Sequence, residues 1–307
     1  MVQTFNPEKV MLMDSIGKEI NLSQFNNLIA EGLKSQSLVT QLGERIEMGD
    51  QYIVDVPGDP TELSDGYIVG EAEKIGVANL GLEGYQLRTF KLGVILPTSE
   101  EFLTYTWSQY FQQVYPLIVD KFSKIIDSAA FFGSYRGTAS NPFGGNVLSK
   151  ATTAGNVSTD ALSVDAIFDL EAMVNGKPNA FFGAENGDRV LRGLVDTVAN
   201  ERINDRATGT LDGIPYHEVL LPNSDTYPAG TLIVADTRGI KYGLPKGAGL
   251  RLKLSDQATL STVQNAGPDS GDVHMFEQDM QAMRAIFEIA VAIPDGTKFA
   301  VLQPAGI

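Results

Sequence analysis

The segment beginning Leu96-Pro-Thr-Ser-Glu-Glu-Phe102 constrains this chain more than any other. Thr98 stands three residues before Glu101, the spacing of a capping box. Glu100 and Glu101 would then fall in the first helical turn, where the macrodipole favours negative charge. Apolar residues recur at Leu103, Trp107, Tyr110, Val114, Ile118, Phe122, Ile125 and Ala129, a one-sided stripe at helical period. Lys121 and Lys124 come late, and Gly133 supplies a stop. At 1.5 Å per residue such a helix is roughly 50 Å long. Pro116 inside it predicts a kink or a division into two consecutive helices.

The C-terminal region carries the opposite period. Met283, Ala285, Phe287, Ile289, Val291 and Ile293 form one wholly apolar face, and Arg284, Ile286, Glu288, Ala290 and Ala292 the other. That alternation predicts a long strand. Pro294-Asp-Gly296 predicts a turn, and Phe299–Leu302 a strand returning as a hairpin. Upstream, Tyr67–Glu73 and Tyr85–Leu96 flank a Gly-rich stretch and read as a two-stranded hairpin with arms reaching roughly 40 Å. An isolated hairpin of that size is marginal in water, so it needs a partner surface. Residues 1–37 are polar with scattered apolar positions and a possible short helix near Leu22–Leu33. They have little to bury alone and read as an arm lying on another surface.

The remaining segments are shorter. Leu38–Val56 reads as one or two strands, ended by Pro57-Gly58-Asp59-Pro60. Residues 133–164 are loop-like, with a short element at Val147–Lys150. The pattern then becomes α/β. Helices are expected at Val164–Asn175 and Asn186–Val195, and strands at Ala180–Gly183, Tyr216–Leu221, Thr231–Ala235, Leu250–Leu254 and Leu260–Val263. The fold class is α+β, and no internal repeat interrupts it.

Composition excludes much chemistry. The chain lacks cysteine, which removes disulfides, thiolate metal sites and a thiol nucleophile. Its only histidines are His217, read as structural within a strand, and His274, near Asp269 and Asp272 but without a calcium-loop pattern. Glu100 and Glu101 point about 100° apart on a helix and so serve the dipole, not one substrate atom. Gly243-Leu-Pro-Lys-Gly247 reads as a turn, not a phosphate loop. Asn200–Arg206 is either a solvated helix end or an intersubunit charge cluster. No catalytic constellation emerges, so neither enzyme activity nor a cofactor is expected. The net charge of −15 argues against a broad basic nucleic-acid face. The N-terminus lacks the pattern of an export signal, and no run approaches the roughly 18 apolar residues that cross a bilayer. A soluble, cytoplasmic protein without a membrane partner is the expectation.

The order of parts resembles the major capsid proteins of tailed bacteriophages, the Hong Kong 97-type fold. Phe90–Phe102 resembles that family's passage from extended loop into spine helix, and Asp127-Ser-Ala-Ala-Phe-Phe-Gly133 its end. Leu211-Asp-Gly-Ile-Pro215 is similar to the entry of an axial-domain strand, and Phe276–Arg284 through Phe299–Leu302 to the closing strands. Phe5-Asn-Pro7 and Phe276–Asp279 are similar to capsid proteins of phages of Gram-positive hosts. The resemblance covers nearly the whole chain.

It implies an N-arm at 1–37, an extended loop at 57–92, and a peripheral domain from 38–56, 93–164 and 276–307 with its spine helix near 98–132. Residues 165–275 would form an axial α/β domain. It implies an icosahedral shell of pentamers and hexamers around double-stranded DNA held without sequence-specific binding. Assembly would occur in the host cytoplasm, with a scaffolding protein and a portal as partners. Because the chain starts directly at the arm, the expectation is either scaffolding as a separate protein or a chain already in its mature form. Glu71, Glu73, Lys74, Arg88, Lys91, Arg202, Arg206 and Arg284 are the expected subunit-interface residues. The alternatives are an encapsulin-type nanocompartment and, from a different class, an acidic soluble hydrolase.

Overall fold

The computed structural model describes residues 32–33, 36–58, 71, 74, 84–133, 143–184, 187, 191–195, 202–205, 207–221, 231–245, 251–260, 273–277 and 279–304. The arm apart from residues 32–33 and 36–37, the first strand of the expected 67–96 hairpin apart from Glu71, and most of the expected 186–195 helix lie outside them. Helices are α1 (Leu38–Leu42), α2 (Glu100–Phe131), α3 (Val147–Ala154) and α4 (Val164–Met173). Strands in the first half are β1 (Glu44–Glu47), β2 (Ile53–Val56), β3 (Tyr85–Ser99), β4 (Val157–Ser158) and β5 (Ala180–Ala184). Those in the middle are β6 (Asn204–Asp205), β7 (Thr210–Leu211), β8 (Ile214–Val219), β9 (Leu232–Ala235), β10 (Lys241–Leu244) and β11 (Arg251–Ser255). The chain closes with β12 (Thr259–Leu260), β13 (Val273–His274), β14 (Met280–Ala292) and β15 (Phe299–Leu302). None of the described helices is long and apolar enough to cross a membrane.

Two sheets carry the architecture. In the first, strands run in the order β1-β10-β14-β3-β2, with β11 also paired to β14. Its spine is the antiparallel β14–β3 ladder, in register from Met280–Ser99 to Ala290–Thr89. The expected period-two pattern of β14 is realised. Met283, Ala285, Phe287, Ile289 and Val291 are buried, while Arg284 is exposed and Ile286 and Glu288 are half-buried. Tyr85–Leu96 is extended as expected, but as part of a strand reaching Ser99 and held between β2 and β14. β3 therefore belongs to the body of the sheet.

α2 lies against the apolar face. It is one unbroken helix, so the expected division at Pro116 does not occur. Pro116 is exposed, where water can serve a carbonyl left without its donor. The N-cap is Ser99, not Thr98, and its side chain makes no capping bond. Thr98 is still in the ladder opposite Gln281, which delays the helix start. Ile118, Phe122 and Ala129 of the expected stripe are buried, but Ile126 replaces the half-exposed Ile125, and Val119 and Ala130 widen the buried face. This face packs with Met283, Phe287 and Ile289 of β14 in one apolar cluster. The helix ends as expected. Gly133 adopts φ +76, its N–H donates to the carbonyl of Ser128, and a Cβ there would meet the Asn146 side chain at 2.0 Å.

The second sheet runs β4-β15-β9-β5-β8-β7-β6. Here the expected hairpin between the last two long strands fails. β15 pairs with β9 and β4 instead of β14. Its residues, Phe-Ala-Val-Leu, are all fully buried, as are those of β9. A continuous apolar strand needs cover on both faces, and the second sheet, packed between α2 and α4, supplies it. One face joins the α2 cluster through Phe182, Ile233, Phe299 and Val301, with the Phe131 and Phe182 rings 4.5 Å apart. The other packs Phe181, Val234, Ala300 and Leu302 against Ile167 and Leu170 of α4. Asp212 and Gly213, at φ +49 and +75, form the two-residue turn between β7 and β8. Of the expected turn at 243–247, Gly243 and Leu244 instead finish β10, and residues 246–247 lie outside the described residues.

Leu38–Leu42 is helical, against the expectation of a strand, and the cause lies far away in sequence. Asp127, buried on α2, accepts hydrogen bonds from Ser37 Oγ (2.7 Å), Leu38 N–H (3.0 Å) and Val39 N–H (3.2 Å). It satisfies donors that α1 leaves open at its N-terminus and places negative charge there. Burial pushes the Asp127 carboxyl up from 3.8 to about 6, while the three donors oppose that shift. The raised value means that protonation favours the folded protein. This contribution is full below pH 3.8 and is lost as pH rises through about 6. Asp127→Asn turns an amide toward these donors and should destabilise the fold by about 1–3 kcal/mol. Denaturant unfolding should show the gap between parent and variant widening by up to about 3 kcal/mol from pH 7 to pH 4, at about 1.4 kcal/mol per unit. A gap independent of pH would contradict the titration.

Candidate interaction surface

The face of the first sheet turned away from α2 is built by strand parity. Arg284, Ile286 and Glu288 alternate with the buried residues of β14. The register sets Lys91, Gly93 and Ile95 of β3 on one flank and Arg251 and Lys253 of β11 on the other. Lys253 lies directly opposite Arg284, and Arg251 opposite Ile286. Four cations from three strands thus share one surface, and together with Ile286 they line a cavity of about 300 Å³.

Glu288 is the acid within this group. Its carboxylate lies 3.7 Å from Lys91 Nζ and is hydrogen-bonded by Arg251 Nη2. Its side chain is 15% exposed against 62% for Lys91 and 51% for Arg251, so a mostly covered carboxylate holds two mostly solvated cations. Further along, the same face turns apolar, where Ala290 packs with Leu87 and Met48.

The expected interface residues do not all converge. Lys91 and Arg284 meet in this group. Arg88 is exposed on β3, three residues from Lys91 and so on the opposite face, with its guanidinium 5.9 Å from the Phe90 ring centre. Glu71 and Lys74 are exposed, and Glu73 and Arg206 lie outside the described residues. Arg202 is exposed and bridged to Val195, at the other end of the second sheet. Arg251 and Lys253 were missed by reasoning along the chain. They sit in an apparently ordinary alternating strand, Arg-Leu-Lys-Leu-Ser, and only the β11–β14 register brings them to Arg284.

The other titratable candidates take structural places. His217 stands in β8 with its ring 5.8 Å from that of Phe182, and burial lowers its pKa. His274 Nδ1 lies 3.2 Å from Thr259 Oγ1. Asp205 is held below the ordinary carboxylate range by hydrogen bonds from the Thr208 hydroxyl and Ala207 N–H, within a turn. Among the described residues, no three His, Asp or Glu are grouped to hold a metal ion.

Residues 22–303 match the family model described as the phage capsid family. The chain is 34% identical over 311 residues to the major capsid protein of Staphylococcus phage 80alpha, covering 99% of this chain and 90% of that protein. A solved chain from Microbacterium phage Oxtober96 superposes with a TM-score of 0.68 at 22% identity, covering 88% of this chain and 91% of that one. One from Mycobacterium phage Adephagia gives 0.67 at 18% identity, again covering 88% and 91%.

Replacing Glu288 with Gln removes the carboxylate from between the two cations. Thermal unfolding of the unassembled subunit should show a loss of about 1 kcal/mol at low ionic strength. The loss should shrink at 0.5 M salt, where screening weakens both the attraction and the remaining repulsion.

Proposed function

Because the chain belongs to the phage capsid family, we propose that it works as the major capsid protein of a tailed phage, self-assembling into the icosahedral shell around double-stranded DNA. The observation that carries this reading is the 34% identity to a major capsid protein across 99% of the chain. Copies group as pentamers and hexamers, a scaffolding protein and a portal direct assembly in the host cytoplasm, and the finished shell is part of the virion. The work is assembly, not chemistry. A net charge of −15 supports a wall that encloses DNA while holding it weakly.

In this reading residues 1–37 are an arm and 57–92 an extended loop that returns to the subunit's own sheet as β3, and neighbours supplied by symmetry cover what the subunit does not bury itself. Residues 38–56, 93–164 and 276–307 make the peripheral domain around α2, and 165–275 the axial domain. The two are laced together. β10 and β11 join the sheet of β14, and β15 joins that of β5, β8 and β9. Contacts between copies involve Glu71, Glu73, Lys74, Arg88, Lys91, Arg202, Arg206 and Arg284.

Electron microscopy of the protein produced with its scaffolding partner should show closed shells, and virions should show them filled with DNA and joined to tails. Small shells loaded with protein cargo would favour a nanocompartment, and dispersed monomers would overturn the shell reading.

A further inference from the structure

The sheet face of Lys91, Arg251, Lys253 and Arg284 is at odds with the rest of the molecule. The chain carries 38 acidic against 23 basic residues, yet four cations here share one surface with one carboxylate. Two of them, Lys253 and Arg284, are directly opposed across an antiparallel ladder, which sets their Cβ atoms about 5 Å apart. Like charges in that position destabilise a sheet. Arg251 stands two residues before Lys253 on the same strand, about 7 Å along it. Glu288 engages Lys91 and Arg251, and among the described residues neither Lys253 nor Arg284 has an acidic partner. Both are exposed. A repulsive pair held open in this way is a place for an anion.

The shape of the surface limits which anion. Ile286 lies between Arg251 and Gly93, and Gly93 adds no side chain to the row between Lys91 and Ile95. Packing does not force a glycine there, since a Cβ would meet nothing closer than 3.7 Å. The recess lined by Ile286 and the four cations is about 300 Å³, the size of a small-molecule site. Arg284 offers a planar fork that matches two oxygens of a phosphate group, and Lys253 a mobile point charge for a third. Glu288 closes the opposite end with negative charge, and the molecule as a whole is acidic. Both disfavour a long polyanion laid across the sheet and leave room for a compact one at the Lys253–Arg284 end.

We propose that Lys253 and Arg284, with Arg251 beside them, bind a small phosphate-class oxyanion carrying two or more negative charges on the free subunit. The site stands on this sheet alone and does not depend on the shell reading. A bound anion sets its charge between the opposed cations and relieves their repulsion. It thereby couples the stability of the free subunit to the phosphate compounds around it.

Inorganic pyrophosphate is the probe. Calorimetric titration of the full-length chain, freed of particles by gel filtration, should show one site with a dissociation constant of about 1 mM or below at low ionic strength. Inorganic phosphate, with less charge, should bind about threefold more weakly or worse. Pyrophosphate at about ten times its dissociation constant should raise the unfolding midpoint by about 2 °C over sodium chloride of equal ionic strength, a control needed because salt alone screens the pair. Lys253→Gln with Arg284→Gln should weaken binding about tenfold or more and abolish that rise. The same variant should be at least as stable as the parent in chloride, because the repulsion is gone. Should it fail to fold by circular dichroism, Lys253→Gln alone takes its place, with a loss of about threefold. Lys177→Gln, which removes an exposed lysine elsewhere, should bind as the parent does. The proposal is overturned if pyrophosphate gives no rise beyond chloride, or if the variant lacking both cations binds as tightly as the parent. A short DNA duplex that binds this face more tightly than pyrophosphate would assign the surface to the nucleic-acid backbone and overturn it too.

Discussion

The antiparallel ladder between β3 and β14 is the constraint on which the rest of this structure depends. Its register gives every residue of two long strands a side. One side meets α2 in a common core, where Met283, Phe287 and Ile289 bury against Ile118, Phe122 and Ile126. The other side is left for charge. A slip of one residue would exchange the two, sending arginine and glutamate into the core and the apolar set to solvent. The buried pattern on α2 and the alternating pattern on β14 therefore fix one another, and the cationic surface follows from the same pairing.

The second dependence is a single buried carboxylate. Asp127 sits in the face that α2 turns inward, where burial raises its pKa, and its three hydrogen bonds go to the segment that follows the arm. A charged group there is a cost that only its donors offset, and those donors are the Ser37 hydroxyl and two open N–H groups of α1. The result ties α1 to the long helix by polar contacts. The two sheets are joined differently, through shared apolar packing. Phe182 and Phe299 of one sheet and Phe287 of the other lie in the same cluster.

For a shell-forming subunit this division of labour has a clear consequence. The two large apolar clusters hold the long helix, both sheets and α4 together within one subunit. The cationic face of Lys91, Arg251, Lys253 and Arg284 lies outside those clusters, on the side of the first sheet turned away from α2. The apolar set and the charged set are thus kept apart by the pairing of β3 with β14.

Much of the frame was legible along the chain, because it is periodic. The 3.6-residue stripe of α2, its glycine stop and the alternation of β14 are local patterns, and each formed within a few residues of its expected place. The α+β class followed from those two periods. The exceptions share one cause. α1 is a helix because a carboxylate about ninety residues away caps it. β15 joins the second sheet because a strand apolar on both sides needs two covers. Thr98 stays in a strand because Gln281 pairs with it. Arg251 and Lys253 joined Arg284 only through register. By itself the sequence determined which residues alternate and with what period, since that depends on backbone geometry alone. Which strand lies beside which, and so which charges meet, was decided by the tertiary structure, because pairing depends on contacts between residues distant along the chain.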